Sequence, residues 1–170
     1  REGAFAQYIT MPERNLVTVP ADVPLARAAL AEPLAVSWHA ARLALSSLHP
    51  VMERRALVIG GGAIGLAAAL ALRAMGVAQI TIAEPNAARR EFLTALGEQA
   101  GAAAEGSYPV VIDAVGYAAT RATATAVVEA GGVIADASKM AVDVAPAVNV
   151  PCAILHMFSS KGLETGPIFA

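Results

Sequence analysis

Three glycines, Gly60, Gly62 and Gly65, stand in G-x-G-x-x-G spacing directly after the apolar run Ala56-Leu57-Val58-Ile59. The β-branched centre of that run and its abrupt glycine stop predict a buried parallel strand. Each glycine has a distinct task in such a turn. The first takes the dihedrals of a tight strand-to-helix reversal, the second lets backbone approach a diphosphate, and the third lets helix and strand pack closely. The spacing then predicts a helix over residues 63–75, stopped by Gly76. Its N-terminus offers unpaired N–H groups and a positive dipole end to an anion, with Ala63 and Ile64 in the first turn. A second strand is predicted over residues 79–83, ending on Glu84, 19 residues after Gly65. A carboxylate at that distance is placed to accept the two ribose hydroxyls of an adenosine.

Two other readings of the stretch have to be weighed. Residues 56–72 carry no charge, yet the run is shorter than the ~20 residues of a membrane span, and its glycines would weaken a spanning helix. A methyltransferase also places a glycine loop after its first strand and an acid after its second. Gly65, one turn into the helix, favours the dinucleotide version. Composition narrows the classes further. The 170 residues suffice for one core and are too few for two full domains. With 12 basic and 14 acidic residues the net charge is -2, which offers no electrostatic footprint for nucleic acid. The single cysteine, Cys152, excludes an internal disulfide framework and a cysteine zinc cluster. No basic, apolar leader is evident, so a cytoplasmic setting is expected, with no membrane partner.

Around this unit the chain alternates. Residues 4–10 alternate as a half-buried strand would, 16–20 form a second extended piece, and Asp22 and Pro24 introduce a helix over 25–31. Pro33 suits the first position of another helix, running to about Ser47 before His49-Pro50. A helix from Pro85-Asn86 to Gly97 follows, then an apolar strand over 109–115. A helix over 120–130 ends on Gly131-Gly132, and the next strand begins there; residues 153–158 supply a further strand. Strands and helices alternating at this length predict an α/β fold with a doubly wound parallel sheet.

Four segments, in order, carry a resemblance. They are Gly3-Ala4-Phe5-Ala6-Gln7-Tyr8, Ala31-Glu32-Pro33-Leu34-Ala35-Val36, Val58 through Leu66, and Val111-Ile112-Asp113-Ala114-Val115-Gly116. Together they resemble the coenzyme half of the zinc-type medium-chain alcohol dehydrogenases, nearest the sorbitol-like polyol branch, from residue 3 to about 137. The resemblance implies a Rossmann-like NAD-binding domain over residues 51–170. Residues 1–50 would hold the remnant of a GroES-like catalytic domain and two linker helices. It implies hydride transfer between an alcohol or polyol and NAD, zinc in the full-length enzyme, and a homo-oligomer formed through the sheet edge. Two alternatives stand beside it: a module that binds or senses NAD without chemistry, and a methyltransferase using S-adenosylmethionine.

In such enzymes zinc stabilises the developing alkoxide. Its ligands come mainly from an N-terminal catalytic domain, and the matching positions are not in this chain. Glu32 matches the acid of a Glu-Pro-Leu segment that reaches the zinc or its water, and is the one catalytic and metal candidate. Its other reading is a carboxylate favoured beside a helix N-terminus. His39, seven residues on, reads as a buried structural histidine. Glu84 predicts NAD over NADP by repelling a 2′-phosphate. Arg89 and Arg90 are the counter-argument; they read as solvated, or Arg89 lies over the adenine. Val115, Gly116, Ala137 and Ser138 close two strands at their carboxyl ends, where open α/β sheets bind ligands. Three departures stand out. About a dozen residues separate Gly97 from Pro109, where a third strand and a helix are expected. Asp136 occupies an apolar position, and the tail from Lys139 matches poorly.

Overall fold

The computed structural model describes residues 7–10, 12–137 and 153–156. The chain divides into two compact units, residues 1–31 and 32–170. In the first, the described residues form a 3-10 turn, Glu13–Asn15, and a short helix α1, Leu25–Ala28, entered from Pro24. The extended piece expected over 16–20 makes no strand, and Leu16 and Val17 are exposed. Its ends are taken up by local turns instead: Leu16 N–H donates to the Glu13 carbonyl at 2.9 Å and the Pro20 carbonyl accepts the Val23 N–H at 3.0 Å. The alternating segment 4–10 lies mostly outside the described residues, and Gln7 to Thr10 are not strand.

The second unit is a six-stranded parallel sheet in the order β3-β2-β1-β4-β5-β6. Its strands are β1 (Arg55–Ile59), β2 (Gln79–Ala83), β3 (Gln99–Gly101), β4 (Tyr108–Asp113), β5 (Val128–Asp136) and β6 (Ala153–His156). The chain leaves β1 for one side of the sheet and later returns to its other side, which creates a switch point between β1 and β4. Helices α2 (Ala31–Ser47), α3 (Ala63–Ala74) and α4 (Ala87–Ala95) contribute to one buried cluster with Val58, Ile82 and Ile112. Helix α5 (Ala118–Val127) covers the other face over Leu57, Val111 and Ile134. Helix α3 buries Ala67, Ala68, Ala69, Ala71 and Leu72. Small side chains let it lie close to the strands. Gly76 (φ +88°) ends it, with Val77 N–H returning to the Leu72 carbonyl at 3.0 Å.

Several boundaries differ from expectation. Helix α2 begins at Ala31, so Glu32 and Pro33 lie inside its first turn. Proline is tolerated there because first-turn N–H groups have no helical acceptor. Gly131 and Gly132 are not a helix end: α5 stops at Val127 and β5 starts at Val128. The glycines sit where the β4–β5 register shifts between Tyr108 and Val110. Gly131 has φ +80°, and a Cβ on Gly132 would lie 2.8 Å from the Pro109 carbonyl. They serve a bulge in a strand. The shortened crossover is also visible: β3 has three residues and no helix separates it from β4.

Candidate functional site

The glycine loop leaves β1 with Gly60 at φ +94° and its N–H on the Ala83 carbonyl at 2.8 Å. A Cβ at Gly65 would fall 1.7 Å from the Gly60 carbonyl oxygen, so helix α3 sits against this turn at a distance only glycine permits. Gly61, which sequence reasoning passed over, is confined as well. Its Cβ would lie 2.5 Å from Leu93 and 3.1 Å from Glu84. Gly62 is different. It is the N-cap of α3, has ordinary dihedrals (φ -74°, ψ -168°), and a Cβ there would meet nothing within 4 Å. Gly60, Gly61 and Gly65 are fixed by protein neighbours, whereas Gly62 faces open space at a helix N-terminus with no side-chain cap and no acid in its first turn. Ala63 and Ile64 form that turn. N–H groups at such a helix start favour an anion.

Glu84 follows β2 and is buried, its side chain 3% exposed. Its Oε2 accepts the Gly61 N–H at 2.9 Å and its Oε1 the Asn86 N–H at 2.8 Å. The acid expected to face a ribose also holds the glycine loop to the start of α4, a second task that spacing alone does not reveal. Each carboxylate oxygen keeps a further lone pair for a ligand hydroxyl. Arg89 Nε approaches Oε1 at 3.4 Å with 57% of its side chain exposed. Arg90 turns back to the Glu84 and Pro85 carbonyls at 2.9 and 2.7 Å.

Gly60, Glu84, Val115, Gly116 and Ala137 thus follow the carboxyl ends of β1, β2, β4 and β5, and the parallel sheet brings them to one edge. Ser138 lies outside the described residues. No family profile matches the chain. Over 95 residues it is 37% identical to the (R,R)-butanediol dehydrogenase of Saccharomyces cerevisiae, a stretch covering 56% of this chain and 24% of the relative. The chain is similar over this stretch to butanediol and threonine dehydrogenases.

It spans about a quarter of the length of the curated relatives it matches. Two solved structures of dehydrogenases share the fold. Galactitol-1-phosphate dehydrogenase from Escherichia coli superposes with a TM-score of 0.73 at 22% identity, covering 92% of this chain and 50% of that one. A Sinorhizobium meliloti protein described as a zinc-binding dehydrogenase, bound to NADP, gives 0.74 at 22% identity, covering 92% and 51%.

The metal site that the resemblance implies is not assembled among the described residues. Among the described residues no group of three or more His, Cys, Asp or Glu is placed to hold a metal ion. Glu32 is exposed in the first turn of α2. His39 is half-buried rather than buried, with its Nδ1 3.4 Å from Arg42 on the exposed side of the helix. The reason is that the inward face of α2 is taken by Ser37, Ala40, Ala41 and Ala44. Among the described residues no helix is long and apolar enough to cross a membrane.

Proposed function

We propose that this chain is the coenzyme-binding portion of a zinc-dependent oxidoreductase that moves a hydride between an alcohol or polyol and NAD. The observation that carries the reading is the pairing of an open Gly62 at an uncapped helix N-terminus with a buried Glu84 fixed beside it. Diphosphate fits the first and ribose hydroxyls fit the second. A bound NAD would supply the hydride acceptor. The chain's own residues orient it: the α3 N–H groups hold the diphosphate, Glu84 fixes the adenosine, and the Val115–Gly116 turn meets the other nucleoside. Arg89 beside Glu84 borders the adenosine. Glu84 favours NAD, because a 2′-phosphate would meet its negative charge.

The described residues do not fit a catalytic zinc, since Glu32 alone leaves a tetrahedral shell to water. In this proposal residues 1–50 are the remnant of a catalytic domain with linker helices, residues 51–170 are the NAD-binding domain, and Glu32 approaches the zinc of the longer enzyme. The same reading implies a cytoplasmic protein and a homo-oligomer formed across a sheet edge, which sedimentation would test.

The function is tested by calorimetric titration of the chain with NAD, NADP and S-adenosylmethionine, followed by an NADH absorbance assay of the longest native chain on vicinal diols and sugar alcohols. NAD binding with diol-dependent NADH formation is expected. Binding of S-adenosylmethionine in place of NAD would refute the proposal, and NAD binding without turnover by a zinc-loaded native chain would leave a binding module instead.

A further inference from the structure

β4 ends on a carboxylate that the sheet buries completely: Asp113 has 0% exposure. An apolar residue would continue a parallel strand at less cost, because a buried charge has to be matched by donors. Asp113 is matched. Its Oδ1 accepts the Val115 N–H at 2.9 Å and the Gly116 N–H at 3.0 Å, and its Oδ2 accepts the Thr120 hydroxyl at 2.8 Å. That hydroxyl in turn accepts the Tyr117 N–H at 3.0 Å. All of these donors belong to the turn after β4 or to the first turn of α5. The backbone is stitched on both flanks, Ala114 N–H to the Ile59 carbonyl at 3.0 Å and Ala137 N–H to the Asp113 carbonyl at 2.9 Å.

The place of this turn gives the network a use. A Cβ at Gly60 would lie 2.4 Å from Val115 Cγ2, so the turn abuts the glycine loop across the switch point between β1 and β4. Glu84 lies on the opposite side of β1. A dinucleotide whose adenosine is at Glu84 and whose diphosphate is at Gly62 sends its second nucleoside over Val115 and Gly116.

We propose that Asp113, with Thr120, is a positioning residue: it holds the Val115–Gly116 turn against Gly60 as a rigid wall for the nicotinamide half of the cofactor. The proposal rests on the dinucleotide reading above. Charge-assisted hydrogen bonds suit this task because they are short and directional. The wall is then preformed, and binding does not have to order it.

The test uses the 170-residue chain and two probes, NADH and ADP-ribose, the second lacking the nicotinamide. Thr120→Val and Asp113→Asn are expected to weaken NADH about tenfold, the worth of roughly one such hydrogen bond, with ADP-ribose affinity unchanged. Thr120→Ser restores the hydroxyl and should restore NADH binding. If Asp113→Asn does not fold, Thr120→Val carries the test. A merely structural role would weaken both ligands in proportion to a lowered melting temperature, and that result, or unchanged NADH binding, would overturn the proposal alone. A wild-type chain that binds neither probe would overturn the dinucleotide reading together with it.

Discussion

Replacing Glu84 with serine removes one carboxylate from two tasks, and the structure sets the size of each. The loss to folding comes first. Gly61 is buried, so its N–H loses an acceptor that water does not replace, at about 1–3 kcal/mol. The Asn86 N–H is exposed enough to find water. Arg89, with a side chain 57% exposed, adds no more than about 1 kcal/mol after solvent screening. The expected destabilisation is therefore about 1–4 kcal/mol. The second loss concerns the ligand. Hydrogen bonds from ribose hydroxyls to a carboxylate are worth about 1.5–3 kcal/mol each, and the repulsion of a 2′-phosphate disappears with the charge, so the ratio of NAD to NADP affinity should fall at least tenfold. Glu84→Gln separates the tasks, because it keeps one acceptor for the loop while removing the charge. Titration of each variant with both cofactors, beside thermal unfolding, reads the two losses independently. A folded Glu84→Ser variant with the wild-type ratio would refute the ribose role and leave the acid as a clamp on the glycine loop.

Gly62→Val should leave stability close to wild type, since a side chain there enters open space, yet should abolish NAD binding; circular dichroism and a cofactor titration check both. Gly65→Ala should do the reverse, because its Cβ would fall 1.7 Å from a carbonyl oxygen and α3 must move, at a cost on the order of 3 kcal/mol or more in denaturant unfolding. Arg73→Ala leaves the Glu98 carboxylate, 1% exposed, without its two bonds at 2.8 and 2.7 Å. As Arg73 is itself 46% exposed, the expected loss is about 1–3 kcal/mol, read as a lowered melting temperature. The 170-residue chain supplied with NAD, zinc and a diol should form no NADH above background, as followed by absorbance.

The path from Arg55 to Glu84 was legible because each of its signals is local. A β-branched run, a glycine spacing and an alanine-rich helix need no distant partner to be recognised, and β2 spans the residues expected of it, Gln79–Ala83. The errors came where one residue type serves two geometries. Gly131-Gly132 suits a helix end or a strand bulge, and only the pairing of β5 with β4 selects the bulge. β3 is too short for periodicity to register.

The site was legible in its glycines and less so in its acids. Glu84, Glu98, Asp113 and Asp136 are all buried, and each is held by a group from another element or the following turn. Asp136, which looked misplaced at the end of β5, receives Arg121 Nε from α5 at 3.0 Å. Its neighbour in register is Asp113, whose donor Thr120 precedes Arg121 on the same helix. One turn of α5 therefore answers two adjacent buried carboxylates at the carboxyl edge of the sheet. That pairing depends on strand register, which no window of sequence contains. Two acids ending successive apolar strands, with a Thr-Arg pair near the start of the helix between them, is the signal that would have revealed it. A misplaced charge at the carboxyl end of a parallel strand should thus prompt a search for a donor in the helix adjoining that strand, before or after it. Here that search leads from Asp113 to the turn bordering Gly60, so the carboxyl edge of the sheet is braced from beneath by charge.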